Sequence, residues 1–217
     1  MSSPDGFHWT WLRAEVISGW AGSTLAASRG CSDAVLMSSR DGLHWDRRFL
    51  EAFVRPGLDP NNWTDRNLIM APGVVPTGPG EMSLYYVGHY GHETSHLRRV
   101  RLRLDGFVSV SAGYQGGEAV TRPLVFTRNA QEPTALVINY STSAVGSIQV
   151  ELQQADGGPV EGYALSDAAE IVGDQIERVV TWKGNFELGD LAGRQLRLRF
   201  VMKDADLYSI RFGGPAR

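Results

Sequence analysis

Apolar and polar side chains alternate along much of this chain with a period of two. In VRLRL (100–104), Val100, Leu102 and Leu104 fall on one side and Arg101 and Arg103 on the other. SIQVELQ (147–153) sets Ile148, Val150 and Leu152 against Gln149, Glu151 and Gln153. LRLRFVMK (196–203) sets Leu196, Leu198, Phe200 and Met202 against Arg197, Arg199 and Lys203, and LYSIRF (207–212) sets Tyr208, Ile210 and Phe212 against Leu207, Ser209 and Arg211. Successive side chains of a strand point to opposite faces of a sheet, so each run predicts a strand with one dry and one wet side. No stretch longer than a turn or two repeats at helical spacing. Twenty-five glycines and ten prolines punctuate the runs, and the chain is predicted to be all-β.

The pattern changes character near SVSAGYQGGEAV (109–120). Residues 1–112 are aromatic-rich, with long polar loops such as RPGLDPNNWTDRN. Residues 113–217 hold evenly spaced strands with turn signals at ADGGP (155–159), WKGN (182–185) and KDAD (203–206), which predicts a two-sheet β-sandwich of jelly-roll type. The first part contains a repeat, Asp-Gly-apolar-His-Trp, at Asp5–Trp9 and again at Asp41–Trp45. Glycine tolerates the positive φ of a tight turn and aspartate caps it. Each copy therefore reads as a hairpin tip, entered after Ala34–Ser39 in the second case, with the tryptophan buried beside the turn. Two such tips about one blade apart predict radially repeated sheets, a partial β-propeller of about two blades.

Composition narrows the function classes. The chain has 217 residues and a formal net charge of -3, which argues against the concentrated basic face that nucleic acid requires. The arginines at 98–103 alternate with apolar residues and read as the solvated face of a strand. The lone Cys31 excludes an intrachain disulfide and a thiolate metal site. No apolar run reaches membrane-spanning length, and the first residues lack the basic and apolar regions of a signal peptide. No Walker, Rossmann, nucleophile-elbow or zinc motif is present, so no cofactor is expected.

SRDGLHWDRRFLEAFVRPG, SLYYVGHYG and RLRLDGFVSVSAGYQGGEAVTRPLVF resemble the later blades of five-bladed propeller proteins related to glycoside hydrolase families 32 and 43. The tail from LVINYSTSAVGSIQVELQQ to LYSIRF is similar to the β-sandwich that follows such propellers in many bacterial proteins, and that group is often exported. The resemblance implies a carbohydrate-related role. The family's acid and base carboxylates lie on early blades that have no counterpart here, so no catalytic role passes to Asp5 or Asp41. A two-blade sector leaves unpaired edges, which invite self-association. The chain is expected to be the C-terminal part of a larger protein whose N-terminal blades are missing.

Four constellations carry candidate chemistry. GHYGHETSH places His89, His92 and His96 with Tyr90 in a loop, open to three readings: a solvent loop, a sugar contact or a metal site. DPNNWTDRN (59–67) offers Trp63 for stacking on a pyranose, with Arg66 and amides for hydroxyls; the alternative is a packing anchor. Glu81, at a strand start, is the weak candidate for a glycosidase acid, with Glu51, Asp59 or Asp65 as partner. Asp204 and Asp206 are weak calcium ligands or plain turn formers. Asn62 and Asn139 open glycosylation sequons. The expected function is therefore glycan binding or propeller stabilisation without catalysis; a small glycosidase built on Glu81 and an interaction module using an open blade edge are the rivals.

Overall fold

In the computed structural model, residues 15–20, 32–39, 41–63, 68–128 and 133–214 are described. Asp5, the first copy of the repeat, Cys31, Asp65 and Arg66 lie outside them. The described chain is all-β, with no α-helix and only short 3-10 turns, so no helix is long and apolar enough to cross a membrane. It divides into two compact units between Leu104 and Asp105, somewhat before the expected boundary at 112.

The N-terminal unit holds two four-stranded antiparallel sheets. The first comprises β1 (Glu15–Trp20), β2 (Ser32–Ser39), β3 (Trp45–Asp46) and β4 (Ala52–Val54). Central β2 pairs with β1 along one edge, while β3 and β4 lie end to end along the other. Its alternation buries Ala34 and Leu36. The second comprises β5 (Ile69–Met70), β6 (Val75–Gly78), β7 (Glu81–Gly88) and β8 (His96–Arg103). Central β7 pairs with β8 from Glu81↔Arg103 to Gly88↔His96, and β5 and β6 share its other edge. Met82, Leu84 and Tyr86 point into the core with Leu68 and Met70. The opposite face of β7 and β8 carries Ser83, Tyr85, Arg99 and Arg101, as the alternation predicts.

The C-terminal unit is one five-stranded sheet, curled as a half-barrel, in the order β10-β13-β11-β12 with β9 also on β13. Its strands are β9 (Val110–Ala112), β10 (Gly117–Val120), β11 (Ala135–Gln154), β12 (Asp174–Val179) and β13 (Leu196–Gly213). The curl surrounds a core that includes Leu136, Ile138, Tyr140, Ile148, Val150, Leu152, Trp182, Leu198 and Phe200. The Phe212 ring packs against this core by stacking on Phe126, with ring centroids 4.2 Å apart.

Three expectations need correction here. KDAD is not a turn between two strands but a bend inside continuous β13. Pairing runs Thr142↔Ala205 and then Ser147↔Lys203, so residues 143–146 of β11 face Asp204 alone, and Asp204 takes a left-handed φ of 42°. This slip moves the buried set from Phe200 and Met202 to Ala205 and Leu207. A second slip, Asn139↔Ser209 then Tyr140↔Leu207, leaves Tyr208 extra and moves it back to Ile210 and Phe212. Leu207 is therefore a core residue, and the single alternation read for 207–212 fails because a one-residue bulge reverses face parity. Lastly, Glu151 and Gln153 are buried rather than wet. The segment after β11 folds back over them, with Gln153 bridged to Pro159 and the Leu165 N–H donating to Glu151 Oε2 at 3.0 Å. Burial pushes the Glu151 carboxyl up, but Gln153, the Leu165 N–H and Arg199 together outweigh it and hold the group below its ordinary value.

Candidate functional site

The hairpin tip from the repeat is a hydrogen-bonded lock. Asp41 Oδ1 accepts from the backbone N–H of Leu43 at 2.8 Å and of His44 at 2.7 Å, and Ser39 Oγ accepts from the Gly42 N–H at 2.8 Å. Gly42 has φ 76°, the conformation a side chain would resist. His44 Nδ1 meets Asp41 Oδ2 at 2.5 Å. Trp45 is half-buried beside the turn. A depression of about 430 Å³ next to it is lined by Ser38, Asp41, His44, Asp46, Arg48 and Phe49. Its charges satisfy one another, Asp41 with His44 and Arg48 with Asp46 at 3.1 Å, so it offers a ligand little that is not already engaged.

This lock has a pH signature. The His44 backbone and ring, then the Leu43 N–H, hold the Asp41 carboxyl well below its ordinary value of 3.8, while Asp41 raises His44 above 6.5. The aspartate contribution is complete above its unfolded pKa and is lost as pH falls through the depressed one. The histidine contribution is complete below its unfolded pKa and is lost as pH rises through the raised one. Protection of the Leu43 and His44 amides against deuterium exchange, corrected for intrinsic rate, is expected to peak between about pH 4 and 6.5. Asp41→Asn should flatten that profile; a wild-type profile without a maximum would contradict the pairing.

A second cluster joins two loops of the same unit, and it contains most of the described candidate residues. The first loop begins DPNNW. Asp59 caps a 3-10 turn (Pro60–Asn62), its Oδ1 accepting from the Asn61 N–H at 3.1 Å, and proline at the first position suits the turn. Asn62 is buried, donating from Nδ2 to the Pro56 carbonyl at 3.0 Å and accepting at Oδ1 from the His89 N–H at 3.1 Å. Trp63 is 61% exposed, yet its indole N–H donates to the Gly57 carbonyl at 2.7 Å. The ring is thus both accessible and fixed.

The second loop connects β7 to β8. His89, at φ 54°, turns its ring toward the first loop. Its Nε2 lies 2.7 Å from Asp59 Oδ2 and its Nδ1 2.9 Å from Thr94 Oγ1. A carboxylate only accepts, so Nε2 carries a proton. His89, then the Asn61 N–H, hold the Asp59 carboxyl below its ordinary value, with a smaller contribution from the charge of Arg98. The His96 ring packs edge-on to His89 at 4.6 Å, and the His92 ring lies 6.4 Å from it. Tyr90 is 40% exposed.

The structure therefore brings Trp63, His89, Tyr90 and His92 into neighbouring, mutually bonded loops. Glu81 is elsewhere. It sits at the far end of β7, about 23 Å from Gly88 at ~3.3 Å per residue, where Thr77, Arg99 and Arg101 engage its carboxylate. Asp59 and Glu81 are thus far beyond the ~5–9.5 Å separation of glycosidase carboxyl pairs. Glu51 is exposed ahead of β4. Among the described residues no group of three or more His, Cys, Asp or Glu side chains converges as a metal site. Asp206 accepts from Ser109 Oγ at 2.7 Å. Asn62 and Asn139 are both buried, which removes them as glycan acceptors.

Sequence reasoning missed the Asp59–His89 bond, the bridging role of Asn62 and the place of Arg98. Only the Asp-Pro pair, a capped turn in waiting, signalled that Asp59 had a structural partner. The chain matches no family model, no curated protein and no solved structure.

Proposed function

We propose that this chain is a carbohydrate-binding, non-catalytic unit whose contact surface is the paired loops around Trp63 and His89. The observation that carries the reading is Trp63. An indole that is 61% exposed and tied at its N–H to Gly57 presents a rigid apolar face. Such a face stacks on a sugar ring with little ordering cost, because its rotamer is already chosen. Tyr90 and His92 lie on the neighbouring loop, and the His89 bonds to Asp59 and Asn62 hold the two loops in register.

Two four-stranded sheets in the N-terminal unit fit the blade size of a propeller, and the curled C-terminal sheet is the element compared with a jelly roll. The resemblance of the sequence to sugar-acting propeller proteins supports the same direction. The engagement of Glu81 by two arginines supports a role without hydrolysis.

Trp63→Ala is expected to weaken binding to any glycan ligand by at least about tenfold, roughly 1.4 kcal/mol, with an unchanged melting temperature because the ring is exposed. Affinity electrophoresis over a panel of arabinan, xylan, fructan and pectic polymers measures it. Equal retardation of wild type and variant on every polymer would overturn the site. Reducing-sugar release that disappears in Glu81→Gln would overturn the non-catalytic part.

A further inference from the structure

Arg98 stands apart from the other arginines of its strand. Arg99 and Arg101 both reach Glu81, and in the C-terminal unit Arg199 and Arg211 reach Glu118 and Glu177. Arg98 forms no ion pair among the described residues. It lies on β8 opposite Tyr86, two residues from His96, on the sheet face of Gly88. A Cβ at position 88 would stand 3.1 Å from His96 Nε2 and 3.5 Å from Arg98 Nε. The missing side chain lets both groups lie flat across the end of β7, beside His89.

The hydrogen bonds there fix the geometry. Arg98 Nε donates to His96 Nε2 at 2.8 Å, and His96 Nδ1 lies 2.8 Å from the Thr94 carbonyl. A carbonyl accepts only, so Nδ1 donates to it, and Nε2 is the acceptor for Arg98. The guanidinium is oriented through Nε, while its terminal nitrogens meet no acceptor among the described residues. The acid within range, Asp59, is turned to His89 and the Asn61 N–H. Glu93, exposed in the same loop, makes no ion pair with Arg98 among the described residues. A guanidinium held by one edge with its other nitrogens open matches the planar two-point geometry of a carboxylate or sulfate.

We propose that the sugar bound at this surface is acidic, bearing a uronate carboxylate or a sulfate ester that Arg98 receives while Trp63 and Tyr90 take the ring. This rests on the carbohydrate reading above and deepens it.

Titration calorimetry on the full chain tests it with two matched pairs, an oligogalacturonide against its methyl ester and a sulfated galactan oligosaccharide against its desulfated form. One charged member is expected to bind about tenfold tighter than its neutral counterpart, and the pair that shows this identifies the anion. Arg98→Gln should bring charged and neutral ligands within about twofold of each other; Arg98→Lys should restore part of the preference. Equal wild-type affinity for charged and neutral members, with Trp63 dependence intact, would overturn the acidic assignment and leave the carbohydrate reading standing. A preference that survives in Arg98→Gln would remove Arg98 from the role. No binding to any member, nor to the neutral polymers, would overturn both.

Discussion

Trp182→Ala is expected to cost the C-terminal unit about 4 kcal/mol of unfolding free energy. Trp182 is 1% exposed and belongs to the core enclosed by the curled sheet. Three terms act together. Removing the indole leaves a cavity among side chains already at close-packed density, and large-to-small changes of aromatic residues in such places cost about 3–5 kcal/mol. The indole N–H donates to the Val150 carbonyl at 2.7 Å inside the core, so the variant also strips a buried acceptor of a donor, at about 1–3 kcal/mol if no other group replaces it. The Tyr163 ring, edge-on to Trp182 at 5.2 Å, loses its partner. The upper part of that range is tempered by collapse of the loops that line the core, where Val160, Leu188 and Leu191 come from non-strand segments. Trp182→Phe keeps most of the apolar volume but not the donor, and about 2 kcal/mol is expected.

The measurement is urea unfolding combined with deuterium exchange at the β11 and β13 amides, which assigns the transition to this unit. A loss under about 1 kcal/mol for Trp182→Ala would place the ring outside the core.

What the amino-acid pattern made legible is local. A run such as Leu196 to Met202 alternates without interruption, and the same alternate residues are buried. The β7 and β8 strands and the loops carrying Trp63 and His89 were readable for the same reason: each is defined within ten or so residues. Long-range hydrogen bonds leave no such trace. Asp59 and His89 meet across a 30-residue separation, and neither residue type nor spacing announces it. Burial by a returning segment is equally silent. Glu151 and Gln153 sit at outward positions by parity and become covered only because residues after Gln154 fold back. The bends of β13 were misread because a left-handed residue inside a strand looks, in sequence, like a turn between strands.

That bend gives the second large effect. Gly146→Ala is expected to destabilise the C-terminal unit by about 2–3 kcal/mol. Residues 143–146 of β11 bulge against Asp204, and at that point the two backbones come into close approach. A Cβ on residue 146 would collide with the Asp204 carbonyl oxygen and stand 2.6 Å from the Lys203 carbonyl oxygen. Both obstacles are main chain, held by the ladder on either side, so neither can swing aside as a flexible side chain would. Relief requires the bulge to open. That would disturb Ser147↔Lys203 on one side and Thr142↔Ala205 on the other, the pairs through which β11 and β13 continue across the bend.

Asp204→Gly supplies the contrast at the facing residue. It removes the cost of holding a side chain at φ 42°, about 1 kcal/mol, but adds a similar entropy to the unfolded chain, so the net change should stay within about 0.5 kcal/mol. If Gly146→Ala unfolds with the wild-type midpoint, the backbones do not approach so closely there and the bend is held by something else. If instead it unfolds early while Asp204→Gly does not, and exchange protection falls on both sides of residues 143–146, one missing methyl group is what allows β11 and β13 to run unbroken through both halves of the curled sheet.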